Sequence, residues 1–400
     1  MKVPVGIVGA GPAGLVIAHM LHREDIPFVL LERSPAEAVG QHAKAGMIEH
    51  RTVELLRRES IADTILSFTI QNGRCEFRTP ADSVVLDYGA LTGGRTHYVY
   101  PQFALVDKLF RELKRRDVDI RCGHSVVRVR EEPDEVLLSG LAADGAPFEV
   151  TCEVVVGCEG ARSAVAAAMP APTVSEQRLP VRWLAVMAAA APLTDHTIYA
   201  AHPRGFAGHL RRAPTSTRYY LEAAATETVA DWPQERIRSE LSTRLMVGDR
   251  LADVPFSDVG FVDLRARIIE PMQHGRLYLA GDAAHVIPPA GGKGMNLAIQ
   301  DAVELARGLI DRFGRANDGT RLVGYSAGRL PAIWRAQAFS NWHLNVIMLA
   351  KPPSDPARSE PSADVGAFRS ILRQGWVSAL QNDPILARWF AHSYAGADPV

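Results

Sequence analysis

The stretch GDAAHVIPPAGGKGMN, residues 281 to 296, sets one carboxylate, Asp282, ahead of a proline pair and a run of glycines. Asp282 can accept hydrogen bonds from the hydroxyls of a ligand. Gly291, Gly292 and Gly294 let backbone amides approach a flat ring. The helix that the pattern predicts from Lys293 turns its positive end toward whatever lies there. A second such motif opens the chain. Gly9, Gly11 and Gly14 form G-x-G-x-x-G between a predicted strand and a predicted helix. Gly9 serves the tight turn, Gly11 the approach of a pyrophosphate, and Gly14 the close packing of helix on strand. Glu32 ends the next strand, where a carboxylate suits a ribose diol and repels a 2′-phosphate. The first motif alone serves NAD or FAD equally. The second loop suits a ligand that extends far beyond its ADP half, which fits FAD, and a helix N-terminus there favours the negative charge of a reduced flavin.

These residues need elements to hold them. VPVGIVGAGPAGLVIAHMLHRED reads as buried strand, glycine turn and helix, and PFVLLERS as a second buried strand. Residues 45–59 are helical by period, as are residues 103–116, where Leu105, Leu109 and Leu113 share a face. Between about Ser175 and Val262 the segments become short and β-like, as in an antiparallel sheet, with a helix over residues 232–245. A buried strand then leads into the Asp282 loop. Helices are expected from Lys293, with Met295, Ala298, Ala302, Leu305 and Leu309 on one face, and from Tyr325 to about Ala350. KPPSDPARSEPSAD reads as a linker to a helical end. The expected fold class is α/β: a Rossmann-like FAD-binding domain with an inserted antiparallel β-sheet substrate domain and a C-terminal helical region. The boundaries expected are 1–72, 98–174 and 268–345 for the first, 73–97 and 175–267 for the second, and 346–400 for the third.

A net charge of −1 leaves no footprint for nucleic acid or an anionic membrane surface. The four cysteines follow neither a zinc nor a disulfide spacing and read as reduced thiols of a cytoplasmic protein. No apolar run is long enough for a membrane helix. The uncharged stretch after Lys2 holds too many glycines and prolines for a signal peptide.

GAGPAG, GCEGARS at 157–163 and GDAAHVIPPAGGKGMN together resemble the single-component flavoprotein aromatic hydroxylases. YAAHPRGFA, STRYYLEA and IEPMQHGRLYLAGDAAH are similar, within them, to the 4-hydroxybenzoate 3-monooxygenase family, from Met1 to about Ala350 and again around Tyr394. The resemblance implies FAD, NADPH or NADH as donor, O₂ as co-substrate and a small phenolic acid. A flavin C4a-hydroperoxide would hydroxylate that acid ortho to its phenol. It also implies roles. Arg212, with Arg211 as a competitor, takes the carboxylate, with Tyr220 as helper and Leu210 lining the site. Tyr199 bonds the phenolic oxygen, and Tyr394 is the second tyrosine of that proton relay. Pro289 sets its carbonyl over the reacting ring. Gln102, Lys293, Gly294, Met295 and Asn296 lie beside the flavin, Arg33 and Lys44 serve the nucleotide phosphates, and Arg162 and Arg265 serve NAD(P)H. A homodimer is an expectation from the resemblance alone.

Departures from the pattern bear on substrate and donor. Leu210 stands where the family has a carboxylate-binding serine, Gly208 is small, and Gln71 replaces the histidine that passes the phenol proton on. Glutamine cannot titrate. Glu159-Gly160 stands for the usual Asp-Gly. Arg33, Lys44 and Arg162 favour NADPH over NADH. A flavin-dependent halogenase would carry W-x-W-x-I-P, which none of the six tryptophans provides. A plain NAD dehydrogenase has no need of the second glycine loop. A non-catalytic FAD protein remains an alternative, as does a hydroxylase of an amino-substituted hydroxybenzoate such as 3-amino-4-hydroxybenzoate.

Overall fold

The computed structural model describes residues 2–41, 46–61, 69–348 and 363–396, with the backbone alone for 363–367. Lys44 and most of the Pro/Ser-rich stretch 351–364 lie outside the described residues.

Two consecutive apolar runs, Lys2–Val8 and Phe28–Glu32, are strands of a sheet covered on both faces, which is why their side chains do not alternate in polarity. They pair in parallel, Val5 opposite Phe28 and Ile7 opposite Leu30. Pro147–Gly157 joins Lys2–Val8 on its other side, with Leu277–Leu279 beyond it and Asp119–Cys122 at the opposite end. Helix Pro12–Arg23 packs against Lys293–Phe313, so the two glycine motifs lie at the starts of neighbouring helices.

The second sheet runs, in order, through His285–Val286, Phe256–Glu270, Thr173–Ala188, Ser216–Ala224, Gly205–Ala213, Thr197–His202, Arg74–Arg78 and Ser83–Asp87. Every pair is antiparallel except Thr197–His202 with Arg74–Arg78, which is parallel because the latter strand arrives from a remote part of the chain and not through a hairpin. Period-two alternation divides the side chains between two cores. Ile198, Ala200, Ala207 and Leu221 face helix Gln234–Leu245. Trp183, Tyr199 and Phe206 face an aromatic cluster that Phe339, Phe390 and Tyr394 complete. The last of these stand on helices Tyr325–Trp342 and Pro384–Ala395.

Two segments differ from expectation. The periodic stretch 45–59 is helical only over His50–Arg58, whereas Met47–Ile48 is a short strand against His97–Val99. Asn296 explains the switch: its amide donates to the Met47 carbonyl and its oxygen accepts from the Glu49 amide, satisfying backbone groups that a helix would have used. The helix from Tyr325 stays regular to Trp342 and then widens into a π-helical turn, His343–Met348. No helix among the described residues is long and apolar enough to cross a membrane.

Candidate functional site

The nucleotide end is built from backbone. Gly9 has φ +102°, and a Cβ there would stand 2.7 Å from the backbone of Cys158. A Cβ on Gly14 would stand 2.0 Å from the Gly9 carbonyl oxygen, so helix and strand approach as closely as only glycine permits. Gly11 caps the helix, with open backbone toward its N-terminus. Glu32 accepts hydrogen bonds from the amides of Ala10 at 2.7 Å and Ser34 at 2.8 Å, which fixes its carboxylate beside the glycine turn. Arg33 is exposed next to it, and Gln102 begins helix Gln102–Lys114.

The second loop is held by an ion triad that the sequence reading missed. Asp301, fully buried one helix away, accepts from the Gly281 amide at 3.1 Å, from Arg329 at 2.7 Å, and pairs with His285 at 2.5 Å. Burial alone would raise the Asp301 carboxyl, but His285 and Arg329 outweigh it and hold it at about 2. Asp282 is thereby presented at an exposed turn. Gly291 and Gly292 follow with φ of +80° and +67°, the Gly292 amide donating to the Pro289 carbonyl at 3.2 Å. A Cβ on Gly294 would meet nothing within 4 Å. These residues fit FAD: a carboxylate at a glycine turn, an open backbone face at Gly294, and two helix N-termini side by side.

Lys293 does not reach toward solvent. It is buried, bonded to Glu49 at 2.6 Å and to the carbonyls of Ser393 and Tyr394 at 2.5 and 2.9 Å. One ammonium thus ties the C-terminal helix, the Gly291–Gly292 loop and the segment after the Met47–Ile48 strand together. Met295 and Asn296 are buried beside it.

On the second sheet, register assembles the opposite wall. Tyr199 pairs with Gly208, Gly208 with Tyr220, and Tyr220 with Ala185, so the four share one face. Tyr199 and Tyr220 are two strands apart, about 10 Å, and the residue between them has no side chain. The Phe206 ring takes part of that space, 3.1 Å from where a Gly208 Cβ would stand. The Tyr199 and Tyr394 hydroxyls meet at 2.6 Å although the residues are 195 positions apart. Burial pushes both phenols upward, so both are protonated at neutral pH. One donates to the other, leaving one proton for a third oxygen. Arg212 lies against Gly46, where a Cβ would stand 0.8 Å from its Nη1. Burial depresses its guanidinium, with Tyr220 opposing. Leu210 is half-buried and Arg211 pairs with Thr217.

Other predicted residues lie elsewhere. Arg162 is exposed and Arg265 half-buried. Their segments are adjacent, because Arg267 donates to the Ala161 carbonyl at 3.1 Å. Gln71 is exposed, bonded by Thr96 at 3.3 Å. Glu159 caps helix Ala164–Ala168 through the Ser163 hydroxyl and the Val165 amide, and burial raises its carboxyl.

Two histidines beside the tyrosine pair went unread. His97 is buried, its ring 4.8 Å from that of Tyr394 and its Nδ1 3.0 Å from the Tyr88 hydroxyl. His343 is buried 4.8 Å from the Tyr199 ring, and neither of its nitrogens has a hydrogen-bond partner among the described residues. Burial and then the Lys293 ammonium push both down to about 3, so both are neutral. Neither belongs to a motif, and nothing in the residues that flank them marks them.

Residues 2–340 match the FAD binding domain family. The p-hydroxybenzoate hydroxylase of Acinetobacter baylyi (strain ATCC 33305 / BD413 / ADP1) is 30% identical over 360 residues, 87% of this chain and 86% of that one. A 12-dehydrotetracycline 5-monooxygenase/anhydrotetracycline 6-monooxygenase from Streptomyces rimosus is 30% identical over 88% of this chain and 71% of its own length. The p-nitrophenol 4-monooxygenase of Pseudomonas putida DLL-E4 shares the fold, with a TM-score of 0.84 at 20% identity, over 100% of this chain and 99% of that one. With two glycine loops at adjacent helix starts and an aromatic, arginine-flanked sheet facing them, the chain belongs to the NAD(P)H-dependent FAD aromatic monooxygenases of the p-hydroxybenzoate hydroxylase family.

Proposed function

We propose that the protein hydroxylates 4-hydroxybenzoate, or a close ring-substituted para-hydroxybenzoate, ortho to its phenol. The observation that carries this reading is the row Tyr199–Gly208–Tyr220, with the Tyr394 hydroxyl 2.6 Å from Tyr199 at one end and Arg212 near Tyr220 at the other. A small acid lying along that row meets a hydroxyl pair at its phenol and a guanidinium at its carboxylate. Arg212 and Tyr220 anchor the acid; a planar guanidinium matches a carboxylate at two points. Tyr199 bonds the phenolic oxygen and Tyr394 accepts or supplies the proton that moves as that oxygen gains charge. The acid's phenol, with an ordinary pKa near ~10, resists ionising at pH 7 by about 4 kcal/mol; hydrogen bonds to the phenolate lower that cost. Bound FAD supplies the reduction by NADPH or NADH and the activation of O₂.

In this reading 1–72, 98–174 and 268–345 form the flavin domain, 73–97 and 175–267 the substrate domain, and 346–400 the helical region. Glu32, Asp282, Gln102, Pro289 and residues 294–296 contact FAD, while Arg33, Lys44, Arg162 and Arg265 serve phosphates of the nucleotides. Leu210 and Gly208 favour a second substrate, an amino-substituted hydroxybenzoate, because a carboxylate hydrogen bond is lost and a side chain is missing beside the ring.

The test is a panel of benzoates given to the FAD-loaded enzyme with NADPH, with products identified by mass spectrometry. Hydroxylated 4-hydroxybenzoate or 3-amino-4-hydroxybenzoate is expected. Tyr199→Phe should slow hydroxylation by about a hundredfold or more while the dissociation constant of the acid moves less than tenfold. If no para-hydroxylated benzoate accelerates NADPH oxidation, the substrate assignment is wrong.

A further inference from the structure

A cavity of about 420 Å³ opens between helices His50–Arg58, Lys293–Phe313 and Tyr325–Trp342. None of the residues assigned above to flavin, donor or acid lines it. Its wall carries six arginines and one carboxylate, Glu304. Arg51, Arg307 and Arg329 lie at its inner part, partly or fully buried, and Arg58, Arg321 and Arg335 stand exposed around it.

The charges do not balance. Arg307 is held by Glu59 and Glu304 at 2.7 Å each, Arg321 by Asp311 at 2.8 Å, and Arg329 by Asp301 at 2.7 Å. Glu59 also serves Arg23. Arg51 reaches Glu49 only at 4.0 Å, and Glu49 is already committed to Lys293 at 2.6 Å. Among the described residues Arg58 and Arg335 have no carboxylate partner within ion-pair distance. Two donors on the wall, Arg51 Nε and Arg329 Nη2, are buried without a hydrogen-bond partner there. Buried guanidinium donors left unbonded are costly, and an anion satisfies several at once.

We propose that this cavity binds a pyrophosphate-bearing anion. Guanidinium forks suit phosphate oxygens, which accept two parallel hydrogen bonds from one side chain. The volume exceeds what one orthophosphate fills, and arginines on four helices, Arg321 standing on the short helix Thr320–Val323, surround the space from several sides, as two linked phosphates require. Leu55 and Tyr325 add an apolar margin that an organic substituent on the pyrophosphate would cover. Two of the arginines also pair with supports of the flavin loop, Arg329 with Asp301 and Arg51 with Glu49.

The experiment is calorimetric titration of the FAD-loaded full chain with sodium pyrophosphate, in a phosphate-free chloride buffer. Saturable binding at one site per chain is expected, weakened at least about tenfold in the double variant Arg58→Ala/Arg335→Ala and unchanged in Arg162→Ala. Both altered arginines are exposed, and an unchanged melting temperature confirms that the double variant is folded. Parallel titrations with ADP identify the source. ADP binding with the same loss in the double variant assigns the group to a nucleotide, and pyrophosphate binding alone assigns it to the free anion. Heat no greater than that of sodium chloride, a double variant that binds as tightly as the parent chain, or equal weakening by Arg162→Ala would overturn the proposal.

Discussion

The two walls of the site are made by different means. The proposed nucleotide wall is almost wholly backbone: Gly9, Gly11 and Gly14 lie within six residues, and their value is the side chain they lack. The proposed substrate wall is almost wholly side chain. Tyr199, Arg212 and Tyr220 come from three strands, Tyr394 from a helix 195 positions beyond Tyr199, and Gly46 from a loop far upstream. A backbone site is specified locally and fails outright when a Cβ intrudes. A side-chain site is specified by register and packing and fails in proportion to the contact removed.

Gly14→Val is the largest test of that contrast. Its Cβ would stand 2.0 Å from a backbone carbonyl that cannot rotate away. The purified variant should carry no flavin by absorbance and should lose more unfolding free energy than the roughly 1–3 kcal/mol typical of overpacking. A flavin-loaded variant of normal stability would break the comparison.

Arg212→Ala should spare the flavin and weaken 4-hydroxybenzoate binding by between about a hundredfold and a few thousandfold, the equivalent of roughly 3–5 kcal/mol for a carboxylate left without its partner. Gly46→Ala sharpens the point, because its added methyl must displace the guanidinium. It should weaken the acid by about tenfold with normal FAD content. The readout is perturbation of the flavin spectrum on titration; equal affinities in all three proteins would remove Arg212 from the substrate wall.

The last test concerns pH and reads stability, not the site's binding. His343 is held at about 3 in the folded chain against about 6.5 unfolded. The unfolded chain therefore binds the extra proton first. The stability this histidine allows is complete above pH 6.5 and is lost as pH falls from there toward 3. Between pH 7 and pH 5 that amounts to about 2 kcal/mol. His343→Phe should remove this part of the acid sensitivity, measured as the difference between urea unfolding at the two pH values. An unaltered difference would show that the imidazole is not confined as its burial implies.

The flavin wall was legible because its requirements are short-range. A strand, three glycines, a helix and an acid at the end of the next strand are all read from one run of about thirty residues. Tyr199, Tyr220, Tyr394 and Arg212 were named only through resemblance, since nothing in their spacing announces that they meet. Asp301, Glu49 and His343 escaped both readings. A carboxylate on a helix pattern looks like a solvated charge, and only burial reveals that Asp301 holds the Gly281 turn or that Glu49 balances Lys293. Residues 45–59 show the converse: helical period is present throughout, yet Met47 and Ile48 become a strand because a side chain 249 positions from Met47 satisfies the Met47 carbonyl and the Glu49 amide.

By itself the amino-acid order determined which backbone segments could tolerate left-handed turns and close approach, and hence that a dinucleotide would be held. Those constraints act through bonds and neighbours within a turn or two. Only the tertiary structure decided which cations are paired, which phenols touch and which imidazoles are stripped of water, because burial and ion pairing depend on every segment that closes over a residue, however distant along the chain.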